Sequence, residues 1–241
     1  MVVKSELKLI KNLQQKKYRN EKGLFVMEGA KAVGELLESG FKAYKLFSTG
    51  EELSGSKISQ VENISMKELK QLSSLKNPNG VLGVFYKRPS ARVDIDGWIV
   101  ALDGVQDPGN LGTIIRLCDW FGIKTLICSN DTVDCYNSKV LQATMGSIAR
   151  VNIQYLDLTE FLKASKGPVF GTFMDGENIH TSKLPNKGVL VMGNEGNGIS
   201  EIIGNLCDYK VGIPQFGEKS TESLNVATAT AIFLNEIKRR S

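Results

Sequence analysis

The chain is poor in the residues from which most metal and acid–base sites are built. It has one histidine, His180, in 241 residues. That excludes most zinc sites and most Ser-His or Cys-His arrangements, each of which needs a placed imidazole. Beside Thr181 and Ser182, His180 reads as a loop residue. The four cysteines, Cys118, Cys128, Cys135 and Cys207, contain no C-x-x-C pair, so free thiols in a reducing compartment are expected. No apolar run approaches the roughly 18–20 residues that a membrane helix needs. Residues 1–20 mix Lys with Leu and lack the apolar stretch of a secretory signal. The cytoplasm is the expected location.

What is present points to a folded, two-part chain. Hydrophobic residues make up 41%, enough for a packed core. The net charge of +4 is unevenly spread: residues 1–90 hold 16 Lys+Arg and 9 Asp+Glu, a net of +7, and residues 91–241 hold 14 and 17, a net of −3. A basic N-terminal part on a mildly acidic remainder suggests a polyanion-binding module joined to a second domain.

Residues 5–19 predict a helix, with Leu7, Ile10 and Leu13 on one face and lysines on another. Short strands are expected at 24–29, 43–49, 57–64 and 81–87, with helices at 30–38 and 66–75. This pattern predicts a small α/β sandwich. Residues 88–96 are polar and aperiodic, and mark a linker. Beyond them, continuous apolar strands at 97–104, 124–129, 149–156, 168–174, 188–193 and 208–214 alternate with helices at 110–121, 137–148, 157–164, 199–206 and 222–238. Such alternation predicts a mostly parallel sheet covered on both faces. The predicted domains are therefore 1–90 and 91–241.

Ligands of open α/β sheets bind beyond the carboxyl ends of the strands. Three such ends carry unusual sequence: residues 102–122, 191–200 and 213–236. The middle one packs Gly and Asn around Glu195 directly after a strand, so its backbone amides are open to a ligand. It is not G-x-G-x-x-G, which disfavours a nicotinamide dehydrogenase. Residues 212–220 approach a phosphate-binding G-x-x-x-x-G-K-[ST] loop, but Glu218 shifts Lys219 out of register and Pro214 removes an amide.

Together these segments resemble the SpoU/TrmH family of RNA ribose methyltransferases. The matching pieces are N-L-G-T-I-I-R (110–116), M-G-N-E-G-x-G (192–198), I-P (213–214) and S-L-N-V (223–226). K-V-L-Q-A-T-M-G-S-I-A-R-V (139–151) is similar to the family's intervening helix. K-N-P-N-G-V-L-G-V (76–84) fits the end of its ribosomal-protein-like substrate-binding module. Two positions depart mildly from the pattern: Thr144 stands where Ser is common, and Trp120 is bulky for its place.

The resemblance implies S-adenosylmethionine (AdoMet) as methyl donor, a C-terminal trefoil knot that general topology rules would disfavour, and a homodimer with its active site near the subunit interface. The small-residue stretch from Val226 to Ile232 suits close helix packing, and suits an ordinary core helix equally well. The expected product is a 2′-O-methylated nucleotide in structured RNA, ribosomal before transfer RNA. A non-catalytic RNA-binding protein of the same fold and a base methyltransferase of knotted fold are the alternatives.

By resemblance, AdoMet lies among Gly193, Ile213 and Leu224, with Thr172, Met174, Asn194, Gly196 and Pro214 as neighbours. Arg116 is the leading catalytic candidate. It either helps to deprotonate the ribose hydroxyl or holds the adjacent phosphate. The second is chemically easier for a group that stays charged and offers only donors. Asn110 either positions Arg116 or caps its helix. Glu195 either pairs with Arg116 or braces its loop. Ser223 and Asn225 either line the reaction site or cap the last helix. The N-terminal cations Lys4, Lys8, Lys11, Lys16, Lys17 and Arg19 are expected to contact RNA. The chemistry requires no metal, and the sequence offers no convincing metal cluster.

Overall fold

The computed structural model describes residues 2–50, 61–89, 93–217 and 223–239. In chain order the elements are α1 (Lys4–Asn12), α2 (Lys16–Lys22), β1 (Leu24–Glu28), α3 (Ala30–Glu38), β2 (Ala43–Ser48), β3 (Val61–Asn63), α4 (Met66–Leu72) and β4 (Val81–Tyr86). They continue with β5 (Trp98–Leu102), α5 (Pro108–Trp120), β6 (Thr125–Cys128), α6 (Ser138–Thr144), β7 (Asn152–Tyr155), α7 (Leu158–Lys163), β8 (Val169–Asn178), β9 (Gly188–Met192), α8 (Glu201–Gly204), β10 (Tyr209–Gly212) and α9 (Val226–Arg239). Two compact units result: Met1–Pro89 with Asp134–Ala149, and Ser90–Val133 with Arg150–Ser241. No helix among the described residues is long and apolar enough to cross a membrane.

The first unit is built on a four-stranded sheet of order β1-β4-β2-β3. One face packs Leu24, Val26, Leu82 and Val84 against Ile10 and Leu13 from the N-terminal segment and Leu69 and Leu72 from α4. On the other face Phe25 meets Phe41, Phe85 and Tyr136. The helix predicted over 5–19 is two helices broken between Asn12 and Lys16. The break has a physical cause. Leu13 is buried, and Arg19 turns inward to donate to the carbonyls of Leu13 and Gln14 at 2.9 and 2.8 Å, which the break leaves without helical partners. The rest of its guanidinium grips Asp134 Oδ2, at 2.9 Å from Nε and 2.6 Å from the terminal nitrogen.

This corrects the expectation for Arg19. Its relative exposure is 3%, so it is a structural cation and not an RNA contact. Lys4, Lys8, Lys11, Lys16 and Lys17 are all exposed.

The second unit holds a six-stranded sheet of order β10-β8-β9-β5-β6-β7. Every neighbouring pair is parallel. This is the predicted α/β architecture. Several elements are shorter than predicted. The 137–148 helix stops at Thr144 because Met145 and Gly146 take left-handed φ values of 51° and 95°, and residues 147–149 form a 3-10 turn. The 199–206 helix reduces to α8. Of the strand predicted at 57–64, Val61–Asn63 is observed as β3, and residues 57–60 lie outside the described residues.

The strand order reverses at β5. The chain moves from β5 outward to β6 and β7, then returns to β8 and β9 on the other side. A crevice at the strands' carboxyl ends is expected at such a switch point. There Leu102 of β5 lies in register with Met192 of β9, and Asp103 N donates to Met192 O at 2.9 Å.

Candidate active site

The site begins where α5 starts. Asp107 is the N-cap: its Oδ1 accepts from Asn110 N at 2.8 Å, and Pro108 follows at the first helical position. Proline is preorganised there and gives up only an amide that has no helical partner. Asn110 is therefore not the cap, which leaves its side chain for other work.

Glu195 takes up that side chain. The β9 strand ends at Met192, and the loop turns back at once: Asn194 and Gly198 exchange backbone hydrogen bonds at 2.8 and 3.0 Å. A Cβ on Gly193 would lie 2.2 Å from the Gly198 carbonyl carbon, so only glycine fits. Asn194 Oδ1 accepts from the amides of Gly196 and Asn197, and its Nδ2 donates to Gly104 O. Glu195 then reaches the residues after β5. Its Oε1 accepts from Asp107 N and Asn110 Nδ2, both at 3.0 Å, and its Oε2 from Gln106 N at 3.1 Å. Of its two expected roles, Glu195 takes the brace.

The environment of Glu195 sets its charge. Partial burial pushes its carboxyl up, but the hydrogen bonds from Asn110, Gln106 N and Asp107 N outweigh this, and the net shift is below the usual carboxylate range. A carboxylate with a lowered folded pKa adds stability above its unfolded pKa and loses it as pH falls through the folded value. Glu195→Gln is therefore expected to lower stability at neutral pH and to flatten the acid limb below about pH 4.5, the ordinary glutamate value. Urea unfolding of both proteins across that range is the check.

The third segment joins through Asn225. Its Oδ1 accepts from Ala227 N and Thr228 N at 3.0 and 3.2 Å, capping α9. Its Nδ2 donates to Asn110 Oδ1 at 2.8 Å. Glu195, Asn110 and Asn225 thus form one hydrogen-bonded line across three segments. The helix that follows packs on α5, with Val226, Ala227 and Thr230 buried. Ser223 is exposed and joins none of these bonds.

Arg116 stands apart from the line. It is exposed on α5, six residues beyond Asn110, which is about 9 Å along the axis and about a third of a turn around it. The Asn110 side chain bonds Glu195 and Asn225, and no hydrogen bond joins it to Arg116 among the described residues. Among the described residues no hydrogen bond or ion pair holds this guanidinium, and its fork is open to an anion.

Of the expected cofactor positions, Thr172 and Met174 lie in β8, Gly193, Asn194 and Gly196 follow β9, and Ile213 and Pro214 follow β10, three neighbours in the sheet; Leu224 lies just before α9. β8 pairs with β10 at Gly171↔Lys210 and again at Glu177↔Val211, so residues 172–176 bow out between the two pairings. This excursion carries Thr172 and Met174. Thr172 anchors it by donating to Val191 O at 2.9 Å. A Cβ on Gly212 would lie 2.6 Å from Phe173 O, so the excursion needs glycine on β10. Met174 is 72% and Leu224 50% exposed, and Ile213 and Pro214 are half-buried. Apolar side chains standing open beside strand-end amides suit a flat heterocycle with a polar tail, so these residues fit AdoMet. Gly193 is buried, and Gly196 is exposed on the loop.

Gln106 and Asp107, whose amides hold Glu195, are not among the residues that the sequence singles out. The Asp-Pro pair, a cap followed by a helix-starting proline, was the available signal. Among the described residues no group of three or more His, Cys, Asp or Glu is placed to hold a metal ion.

The chain resembles known proteins in sequence and in fold. Residues 97–235 match the model of the SpoU rRNA methylase family, and residues 4–83 match an MRM3-like substrate-binding domain. The chain is 28% identical to the 23S rRNA (guanosine(2553)-2′-O)-methyltransferase RlmP of Bacillus subtilis, over 95% of this chain and 94% of that protein. Its fold is similar to that of a Porphyromonas gingivalis protein assigned to the TrmH family of RNA methyltransferases, with a TM-score of 0.93, 35% identity and full coverage of both chains. It is also similar to an AdoMet-bound rRNA methyltransferase from Sinorhizobium meliloti, with a TM-score of 0.87, 32% identity, and coverage of 100% of this chain and 96% of the other.

Proposed function

The chain belongs to the SpoU rRNA methylase family, and we propose on that premise that it methylates the ribose 2′-hydroxyl of a nucleotide in RNA, ribosomal RNA in preference to transfer RNA. Its cofactor is AdoMet, which when bound supplies an electrophilic methyl group on a sulfonium. The chain's own residues hold and align the reactants. Arg116 binds the phosphate beside the target and turns the ribose hydroxyl toward the methyl group. Alignment of this kind supplies several kcal/mol of a displacement barrier. A guanidinium stays charged and only donates, so orientation suits it better than proton abstraction. Glu195, Asn110 and Asn225 keep the loop after β9, the start of α5 and the start of α9 in mutual register. Gly193, Ile213 and Leu224 hold the cofactor, with Thr172, Met174, Asn194, Gly196 and Pro214 around it. Ser223 lines the reaction site.

The observation that carries this reading is the Glu195–Asn110–Asn225 line, which ties three distant segments together at the strand ends, on the same helix that carries Arg116, a guanidinium with no partner among the described residues. The proposal takes residues 1–90 as the RNA-binding part and 91–241 as the methyl-transfer part, with a trefoil-knotted C-terminus, a homodimer and a cytoplasmic setting. Label from methyl-labelled AdoMet should enter ribosomal RNA faster than transfer RNA. Equal entry into both, or faster entry into transfer RNA, would overturn the substrate assignment.

The lysines of α1 make a second prediction. Lys4, Lys8 and Lys11 recur at helical spacing on one face. Changing all three to Ala should weaken RNA binding at every sequence and reduce the slope of log affinity against log salt by about 2 to 3. AdoMet affinity, measured by calorimetry, should not change.

A further inference from the structure

The segment after β5 is laced on two sides, and the active site uses only one of them. On the β9 side, Asp103 N donates to Met192 O, Asp103 Oδ2 accepts from Ser200 N at 2.7 Å, and Asn194 Nδ2 donates to Gly104 O. On the β6 side stands a turn, residues 129–133, that belongs to none of the motifs. Ser129 N donates to Leu102 O at 2.9 Å and Val133 N to Val105 O at 3.0 Å. Ser129 Oγ accepts from Gly104 N at 2.9 Å and lies 2.9 Å from Thr132 Oγ1, which donates onward to Leu102 O at 3.4 Å. Gln106 Nε2 donates to Asp131 O. Ser129 and Thr132 are 7% and 1% exposed. A buried hydroxyl costs stability unless it is bonded, and an apolar side chain would fill the same space. What these two contribute therefore lies in what they hold.

We propose that Ser129 and Thr132 are positioning residues for methyl transfer, acting on Glu195 through the backbone of residues 102–106. This deepens the ribose-methylation reading and rests on it. The two sides meet at Gly104, whose N–H is held by Ser129 and whose carbonyl is held by Asn194. Its φ of 71° is left-handed, and a Cβ there would lie 3.1 Å from Asp131 Oδ2, so glycine lets the chain turn against the β6 side. Two and three residues on, the amides of Gln106 and Asp107 meet the Glu195 carboxylate. Asp107 also caps α5, the helix that carries Asn110 and Arg116. A shift of 102–106 therefore moves both the Glu195 brace and the start of α5. Without the Ser129 hydroxyl, the N–H of Gly104, a buried residue, loses its acceptor away from water. All these bonds lie within the second unit of one chain, so they hold in a monomer and in a dimer alike.

Variants of the full chain separate the hydroxyls from the packing. Thr132→Val keeps the shape and removes the hydroxyl, Thr132→Ser keeps the hydroxyl and removes a methyl group, and Ser129→Ala removes the acceptor of Gly104 N. Thr125 opens the same strand at its other end, is 1% exposed and donates to Asp94 O at 3.3 Å. Thr125→Val is therefore the control for a buried hydroxyl lost away from the site. With ribosomal RNA and saturating AdoMet, Ser129→Ala and Thr132→Val should lower kcat about 10- to 100-fold, with KM for RNA changed by less than about twofold. Thr132→Ser should keep most of the wild-type kcat although it opens a small cavity, and Thr125→Val should keep it too. Added to Glu195→Gln, Thr132→Val should lower kcat no further than Glu195→Gln alone, because residues that act as a unit are not additive. Wild-type kcat in Thr132→Val would overturn the proposal and spare the ribose-methylation reading. So would multiplied losses in the double variant, or a kcat that follows thermal stability across the set. The Thr132 variants decide alone if Ser129→Ala does not fold. Failure of the wild type to methylate RNA would instead remove the reading on which the proposal rests.

Discussion

Arg116→Ala is expected to lower kcat for RNA methylation by about 10²–10³-fold, with AdoMet binding and folding unchanged. The first half follows from what the guanidinium does. Fixing a phosphate fixes the adjacent ribose, and misplacing a nucleophile by about 1 Å costs on the order of 10²-fold in rate. Loss of a preorganised donor at developing charge costs up to about 10³-fold. The second half follows from where it sits. Arg116 is exposed, so its removal opens no cavity and unpairs no carboxylate. Arg116→Lys should recover only part of the rate, because an ammonium cannot make the two-pronged contact. Single-turnover kinetics with saturating AdoMet separate the chemical step from binding.

The opposite outcome is expected for the other arginine that the sequence marks as an RNA contact. Arg19→Ala should destabilise the first unit by about 3–5 kcal/mol, the usual cost of leaving one member of a buried ion pair alone. The side chains of Arg19 and Asp134 are 3% and 9% exposed and lie 2.6 Å apart. The variant would strand the Asp134 carboxylate and two carbonyls, those of Leu13 and Gln14. In thermal unfolding of a unit of this size this corresponds to a drop of about 15–20 °C. Replacing both partners with apolar residues should cost less than replacing either alone, because no buried charge then remains.

These two arginines show what the sequence could and could not disclose. The strands of the second unit were legible because buried parallel strands are continuous apolar runs. The site's segments were legible because ligands gather at strand ends, and Gly- and Asn-rich sequence there has few other uses. The motif residues Asn110, Glu195 and Asn225 do meet, but their bonding pattern was not legible. Asn110 and Asn225 are 115 positions apart, and no local pattern says which atom faces which. Arg19 failed for the same reason. On a lysine-rich helix it reads as one more surface cation, and its partner Asp134 is also 115 positions away. The bow in β8 at 172–176 was hidden because strand periodicity continues through it, and only the pairing with β10 on either side reveals it.

The most direct test of ribose methylation is the chemistry of the product linkage. Ribosomal RNA labelled by the chain with methyl-labelled AdoMet would be hydrolysed completely in alkali. A methyl group on the 2′-oxygen blocks the attack that cleaves the neighbouring phosphodiester, so the label should remain in an alkali-resistant dinucleotide. Label released in mononucleotides would mean that the methyl group sits on a base, and would contradict the account.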